Sequence, residues 1–129
     1  MSPRVVAPEV PTTVLPPTRR APAAARAFVA EHFRRWGIGD VADALVIVSE
    51  LVTNSLQHGH GQIVVRLPWD ESDGRPVIEV WDDGAGQPVV QPEDHGAESG
   101  RGLLMVSLLA TAWGTRPLLE NGKATWAKC

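Results

Sequence analysis

The sequence predicts an α+β fold, a two-layer sandwich with helices on one face of a mixed, mostly antiparallel sheet. Three observations carry that expectation. Helical periodicity fills residues 23–59, two strand-like runs follow at 63–69 and 77–81, and a short apolar helix then precedes an Asn121-Gly122 hairpin signal. The order is therefore helix, helix, strand, strand, loop, helix, hairpin.

Six prolines fall in the first 22 residues, a composition suited to a loose arm over residues 1–20, with a short edge strand around Thr12–Leu15. Residues 21–129 then read as a single domain. From Ala23 to Trp36 a helix is expected, with Ala24, Phe28 and the pair Ala27/Ala30 on its apolar side and Gly37 as its stop. Asp40 is a good N-cap for a second helix running to about Gly59. At about 100° per residue, Val41, Ala44, Leu45, Val48, Leu51, Val52, Ser55 and Leu56 share one core-facing stripe. Ile63, Val65, Leu67 and Trp69 alternate with more polar neighbours, and the turn Asp70–Gly74 leads into a strand at Val77–Trp81. Gln87–Ser99 has no periodicity and reads as a long loop. Gly102–Ala110 is a short helix, and Thr111–Leu119 pairs with Lys123–Lys128 across the Glu120-Asn121-Gly122 turn.

Bulk properties exclude several function classes. With 129 residues, 43% apolar, the chain fits one core. Residues 1–36 hold six Arg against two Glu, net +4, whereas residues 37–129 hold six basic and thirteen acidic groups, net −7. An acidic body argues against nucleic acid as the main ligand. No apolar run approaches the ~20 residues that span a bilayer, and no signal-peptide pattern opens the chain, so a cytoplasmic protein without a membrane partner is expected. Cys129 is the sole cysteine, which excludes an internal disulfide and any multi-cysteine zinc site. His58-Gly59-His60 lacks a third ligand at metal-site spacing, and no Gly-x-Ser-x-Gly elbow occurs.

Three polar clusters remain. Glu50 and Asn54 are four apart on the second helix, so they address one region of space. An Asn carbonyl oxygen suits Mg²⁺ shared with substrate phosphates, and a neighbouring Glu can orient or deprotonate a hydroxyl or water. Taken alone, the pair is better explained as an ordinary solvated stripe. Asp82 ends a buried-looking strand and is followed by Gly84 and Gly86, which let the backbone turn and a flat ligand approach. A carboxylate so placed accepts a hydrogen bond from an exocyclic amine such as that of adenine, although a plain Asp-Gly turn explains the residues equally well. Gly100-Arg101-Gly102 precedes an apolar helix, whose start favours an anion, with Arg101 adding positive charge. A glycine-flexed loop end gives the same pattern. In this order, the three clusters point to a nucleotide site.

The motifs Glu50-Leu51-Val52-Thr53-Asn54-Ser55-Leu56-Gln57-His58-Gly59, Val80-Trp81-Asp82-Asp83-Gly84-Ala85-Gly86 and Ser99-Gly100-Arg101-Gly102-Leu103 together resemble the N, G1 and G2 boxes of the GHKL (histidine-kinase-like) ATPase superfamily. The nearer likeness is to its stand-alone anti-sigma-factor serine kinases, abundant in actinobacteria, and it covers residues 12–128. The resemblance implies a Bergerat-type ATP-binding fold with ATP and Mg²⁺. Asn54 would hold the metal, Glu50 would be the base for a protein serine hydroxyl, and Asp82 would read the adenine amine. Gly84 and Gly86 would shape the base pocket, while Gly100, Arg101, Gly102 and Leu103 would belong to the phosphate side. Residues 87–99 would form the ATP lid. The implied partners are an anti-sigma-factor antagonist and a sigma factor, and the family often forms homodimers. One departure stands out. A Thr is often found two residues after the last glycine, beside the adenine, where this chain has Ala124, and simple alternation puts Thr125 on the opposite face. Weaker adenine contacts are the expectation.

Three other readings compete with this one. A non-catalytic ATP-binding interaction module has the same site without the transfer step. A sensor-kinase fragment is expected to carry a helical hairpin with a phosphoacceptor His before the domain, where this sequence has a Pro-rich arm. A topoisomerase- or chaperone-type machine needs a further domain.

Overall fold

The computed structural model describes residues 9–84, 98–118 and 122–129. Its elements are strand β1 (Thr12–Leu15), helices α1 (Ala21–Arg35) and α2 (Ala42–His58), strands β2 (Ile63–Arg66), β3 (Trp69–Asp70) and β4 (Arg75–Asp82), helix α3 (Glu98–Leu109), and strands β5 (Ala112–Pro117) and β6 (Lys123–Lys128). The sheet order is β1-β2-β4-β6-β5, with β3 paired to the start of β4. Every pairing among the described strands is antiparallel. The predicted α+β sandwich is the observed one. Thr12–Leu15, inside the Pro-rich arm, joins the sheet by pairing with β2.

The sheet has one covered face. Along β4, Ile78, Val80 and Asp82 are buried while Val77, Glu79 and Trp81 are half-buried, the period-two alternation of a strand with a single core side. Ile78 and Val80 share a core cluster with Val29 and Phe33 of α1, Val48 and Leu51 of α2, and Leu103 and Val106 of α3, so all three helices lie on that face.

Helix α1 ends through a complete glycine cap. Gly37 takes φ +77°, Gly37 N–H donates to Arg34 O, and Ile38 N–H donates to Phe33 O. Its buried side is Ala21, Ala25, Val29 and Phe33, whereas Ala24 and Ala27 are exposed, so the expected apolar side of this helix is corrected. Alanines occur all round α1, and the larger apolar surface of Val29 and Phe33 decides which side faces the sheet. Helix α2 begins after Val41 rather than at Asp40, yet the Asp40 carboxylate still accepts the Ala42 N–H at 3.2 Å. Its stripe is largely as predicted, with Ile47 and Asn54 added to the buried set. Helix α3 starts at Glu98, four residues before the expected Gly102, so Glu98 and Ser99 belong to a helix rather than to the loop.

Candidate functional site

The C-terminal ends of α2 and β4 meet at Asp82. Its side chain is fully buried and accepts three hydrogen bonds: Ser55 Oγ to Oδ2 at 2.6 Å, Gly84 N–H to Oδ1 at 2.8 Å, and Lys123 Nζ to Oδ1 at 3.1 Å. Close approach of backbone makes this possible. A Cβ on Gly59 would lie 2.6 Å from Asp82 Cγ, and one on Gly84 would lie 2.6 Å from Gly59 Cα. The first residue past helix α2, Gly59, and the second past β4, Gly84, therefore lie directly against each other and the carboxylate, and both contacts require glycine. Gly59 has φ −98°, so nearness rather than backbone conformation demands it.

Asn54 adjoins Ser55 on α2 and is 5% exposed, and its Nδ2 has no hydrogen-bond partner among the described residues. A buried amide without a partner costs free energy unless a ligand or water completes it. One turn back, half-buried Glu50 lies against α3: a Cβ on Gly102 would come within 2.5 Å of Glu50 Oε2. The three clusters of the sequence thus join along one helix, Asp82 through Ser55, then Asn54, then Glu50 and Gly102.

The G2-like residues behave differently from expectation. Because α3 begins at Glu98, the N–H groups without intrahelical partners at its start include those of residues 98–100, in the first turn of 98–101. Gly100 and Arg101 lie in that turn. Gly102 does not; it lets α3 approach Glu50, so its expected role as a helix-start anion donor is corrected. Leu103 is 1% exposed and packs in the core, so any share in ligand binding falls to its backbone. Gly86 and most of the expected lid, residues 87–97, lie outside the described residues.

Strand β6 corrects another expectation. Antiparallel partners share a face, and Lys123 pairs with Asp82, Ala124 with Trp81, and Thr125 with Val80. Lys123 and Thr125 are thus on the site face, and Ala124 is on the other. Thr125 is 1% exposed, with Oγ1 unpartnered among the described residues, so a hydroxyl is present on the side where one seemed missing. Sequence reading missed three functional candidates, Ser55, Lys123 and Thr125. Their signals were a hydroxyl inside an apolar helix stripe and a Lys-x-Thr alternation after the hairpin glycine.

Among the described residues, no three His, Cys, Asp or Glu side chains converge as a metal cage. The donor set at Asn54, one neutral amide beside a carboxylate, fits a cation that shares its shell with phosphate oxygens and water.

A family model described as a histidine kinase-like ATPase domain matches residues 15–124, most of the chain and all three clusters. The chain belongs to the histidine kinase-like ATPase family. Membership implies an ATP-binding site, and Asp82, Asn54 and the start of α3 lie within the matched span. No curated protein is matched. Among solved structures, the fold is similar to that of the RsbU and RsbW domains of Rv1364c from Mycobacterium tuberculosis, with TM-score 0.64 and 24% identity. That match covers 92% of this chain and 32% of the other, so the chain spans about a third of the length of that solved relative. Among the described residues, no helix is long and apolar enough to cross a membrane.

Proposed function

We propose that this protein is an ATP-dependent serine/threonine-protein kinase of the cytoplasm that phosphorylates an anti-sigma-factor antagonist and also acts as an anti-sigma factor. The observation that carries the reading is the alignment on α2 of Glu50 with Asn54, whose buried Nδ2 is unpartnered among the described residues, one residue from the Ser55–Asp82 hydrogen bond. In this reading Asp82 accepts the adenine amine, with Gly84 and Gly86 leaving room for the ring. Gly100 and Arg101, at the start of α3, meet the phosphates, where exposed N–H groups favour an anion. Asn54 holds Mg²⁺, which when bound neutralises charge on the triphosphate and its leaving group. Glu50 takes the proton of the acceptor hydroxyl as that oxygen bonds to the γ-phosphorus. The bond from the γ-phosphorus to the β,γ-bridging oxygen breaks, and ADP leaves with the electron pair.

Family membership supports the nucleotide, and the likeness in fold to a chain with an RsbW domain supports the choice of partner class. The test is transfer of labelled γ-phosphate to candidate antagonist proteins by wild type and Glu50→Gln. Wild type should phosphorylate a serine or threonine, and Glu50→Gln should bind ATP normally with transfer reduced by roughly 10²–10⁴-fold. Full transfer by Glu50→Gln removes the assigned base. ATP binding without transfer to any antagonist by wild type favours a non-catalytic interaction module.

A further inference from the structure

The carboxylate assigned to the base is already in contact with a cation. Lys123 is 6% exposed, and its single hydrogen bond among the described residues goes to Asp82 Oδ1. An ammonium carries three N–H donors, and burying it is costly unless they find acceptors. Among the described residues, two of the three have no acceptor. Asp82 has about four lone-pair positions, and Ser55, Gly84 and Lys123 use three of them. The position left open is on Oδ2, enough for one amine hydrogen. A carboxylate is an acceptor only, so it answers the amine of adenine but not the ring nitrogen beside it, which needs a donor. Lys123 stands next to Asp82 with donors to spare. A second observation lies on the same face of β6: Thr125, two residues along from Lys123, is buried with its hydroxyl unpartnered among the described residues.

We propose that Lys123 is a base-reading residue, its ammonium donating to the ring nitrogen N1 while Asp82 accepts from the adjacent amine, so that the ion pair reads that edge of the adenine as a unit. This rests on the ATP-binding reading above and adds to it the group that sets base preference.

The test compares ATP with 1-deaza-ATP, in which N1 is replaced by C–H, on the full chain with Mg²⁺ by calorimetric titration. On wild type, 1-deaza-ATP should bind roughly ten- to a hundredfold more weakly, the range for a hydrogen bond to a charged group. In Lys123→Met the two nucleotides should bind about equally. Lys123→Gln, which keeps a neutral donor for Asp82, serves if the Met variant does not fold, and its preference should shrink to about a few-fold. Equal binding of both nucleotides by wild type overturns the proposal, as does an unchanged preference in the variants. Tighter ATP binding by either variant also overturns it, because Lys123 would then be an occupant displaced by the base. If wild type binds neither nucleotide, the ATP-binding reading itself fails, and this assignment with it.

Discussion

Replacing Asp82 with Asn should separate the two jobs of this carboxylate. The substitution keeps the shape but removes the charge that faces Lys123 Nζ at 3.1 Å, and it turns one acceptor edge into a donor. Side-chain exposure is 7% for Lys123 and 0% for Asp82, so water cannot easily replace the lost partner. Removing one member of a buried pair costs about 3–5 kcal/mol, chiefly because the other charge stays buried. The flexible stem of Lys123 can carry its ammonium part of the way to solvent, which puts the expectation near the lower end, about 3 kcal/mol. For a domain of this size, that is a fall in Tm of roughly 10 °C. The double variant Asp82→Asn/Lys123→Met removes both charges and should recover most of the loss, while ATP binding stays impaired in both. Circular-dichroism melts and urea titrations of the four forms complete the cycle. Asp82→Asn within about 0.5 kcal/mol of wild type, or a double variant no more stable than Asp82→Asn, refutes the argument that this pair is tightly coupled.

Other substitutions test the remaining contacts. In Gly102→Ala the nearest atom to the new Cβ is the flexible end of Glu50, and Ala favours a helix over Gly by about 1 kcal/mol. Tm should hold or rise, while phosphate transfer falls by about tenfold or more because Glu50 is displaced. Gly122→Ala combines φ +93° with a Cβ that would overlap the Asp82 carbonyl oxygen and should cost at least about 3 kcal/mol by urea unfolding. The Cys129 thiol is pushed up to about 11 by burial, helped by the charge of Asp43. Alkylation by iodoacetamide at pH 8 should therefore run about a hundredfold slower than for a free thiol and rise steeply only toward pH 11. The Asp70 carboxyl is lowered to about 2 by hydrogen bonds from Lys128 and Ser72. A depressed carboxyl contributes stability above its unfolded value, near pH 3.8, and loses it as the pH falls toward 2. Asp70→Asn should therefore lower stability across the neutral range and converge with wild type as the pH falls toward 2, which flattens the acid limb of the curve.

How far the sequence carried the account depended on whether burial and apolarity agreed. They agree along α2, where Ala44, Val48, Leu51 and Val52 recur at helical spacing, and along β4, so those elements were legible. They disagree on β6. Ala124 and Trp126 look like a core face, and Lys123 and Thr125 look like a solvent face, yet the polar pair points inward. At this end of the sheet Lys123 bonds to buried Asp82, and Thr125 Oγ1 has no partner among the described residues. Period-two reasoning assumes that inward means apolar, and that fails where strands floor a binding site. The start of α3 was hidden for another reason. Gly100 and Gly102 are poor helix formers, so propensity put the boundary at Gly102, whereas packing of Gly102 against Glu50 keeps the turn before it helical. On α1, the many alanines left the buried side ambiguous until Val29 and Phe33 met the sheet.

The most direct test of the central claim is calorimetric titration of the chain with ATP, in Mg²⁺ and then in EDTA, for wild type and Asn54→Ala. The account predicts ATP binding by wild type that weakens by at least about tenfold without Mg²⁺, and an Asn54→Ala variant that stays folded but has lost that difference. Equal affinity of wild type with and without Mg²⁺, or an unchanged Mg²⁺ effect in Asn54→Ala, contradicts it.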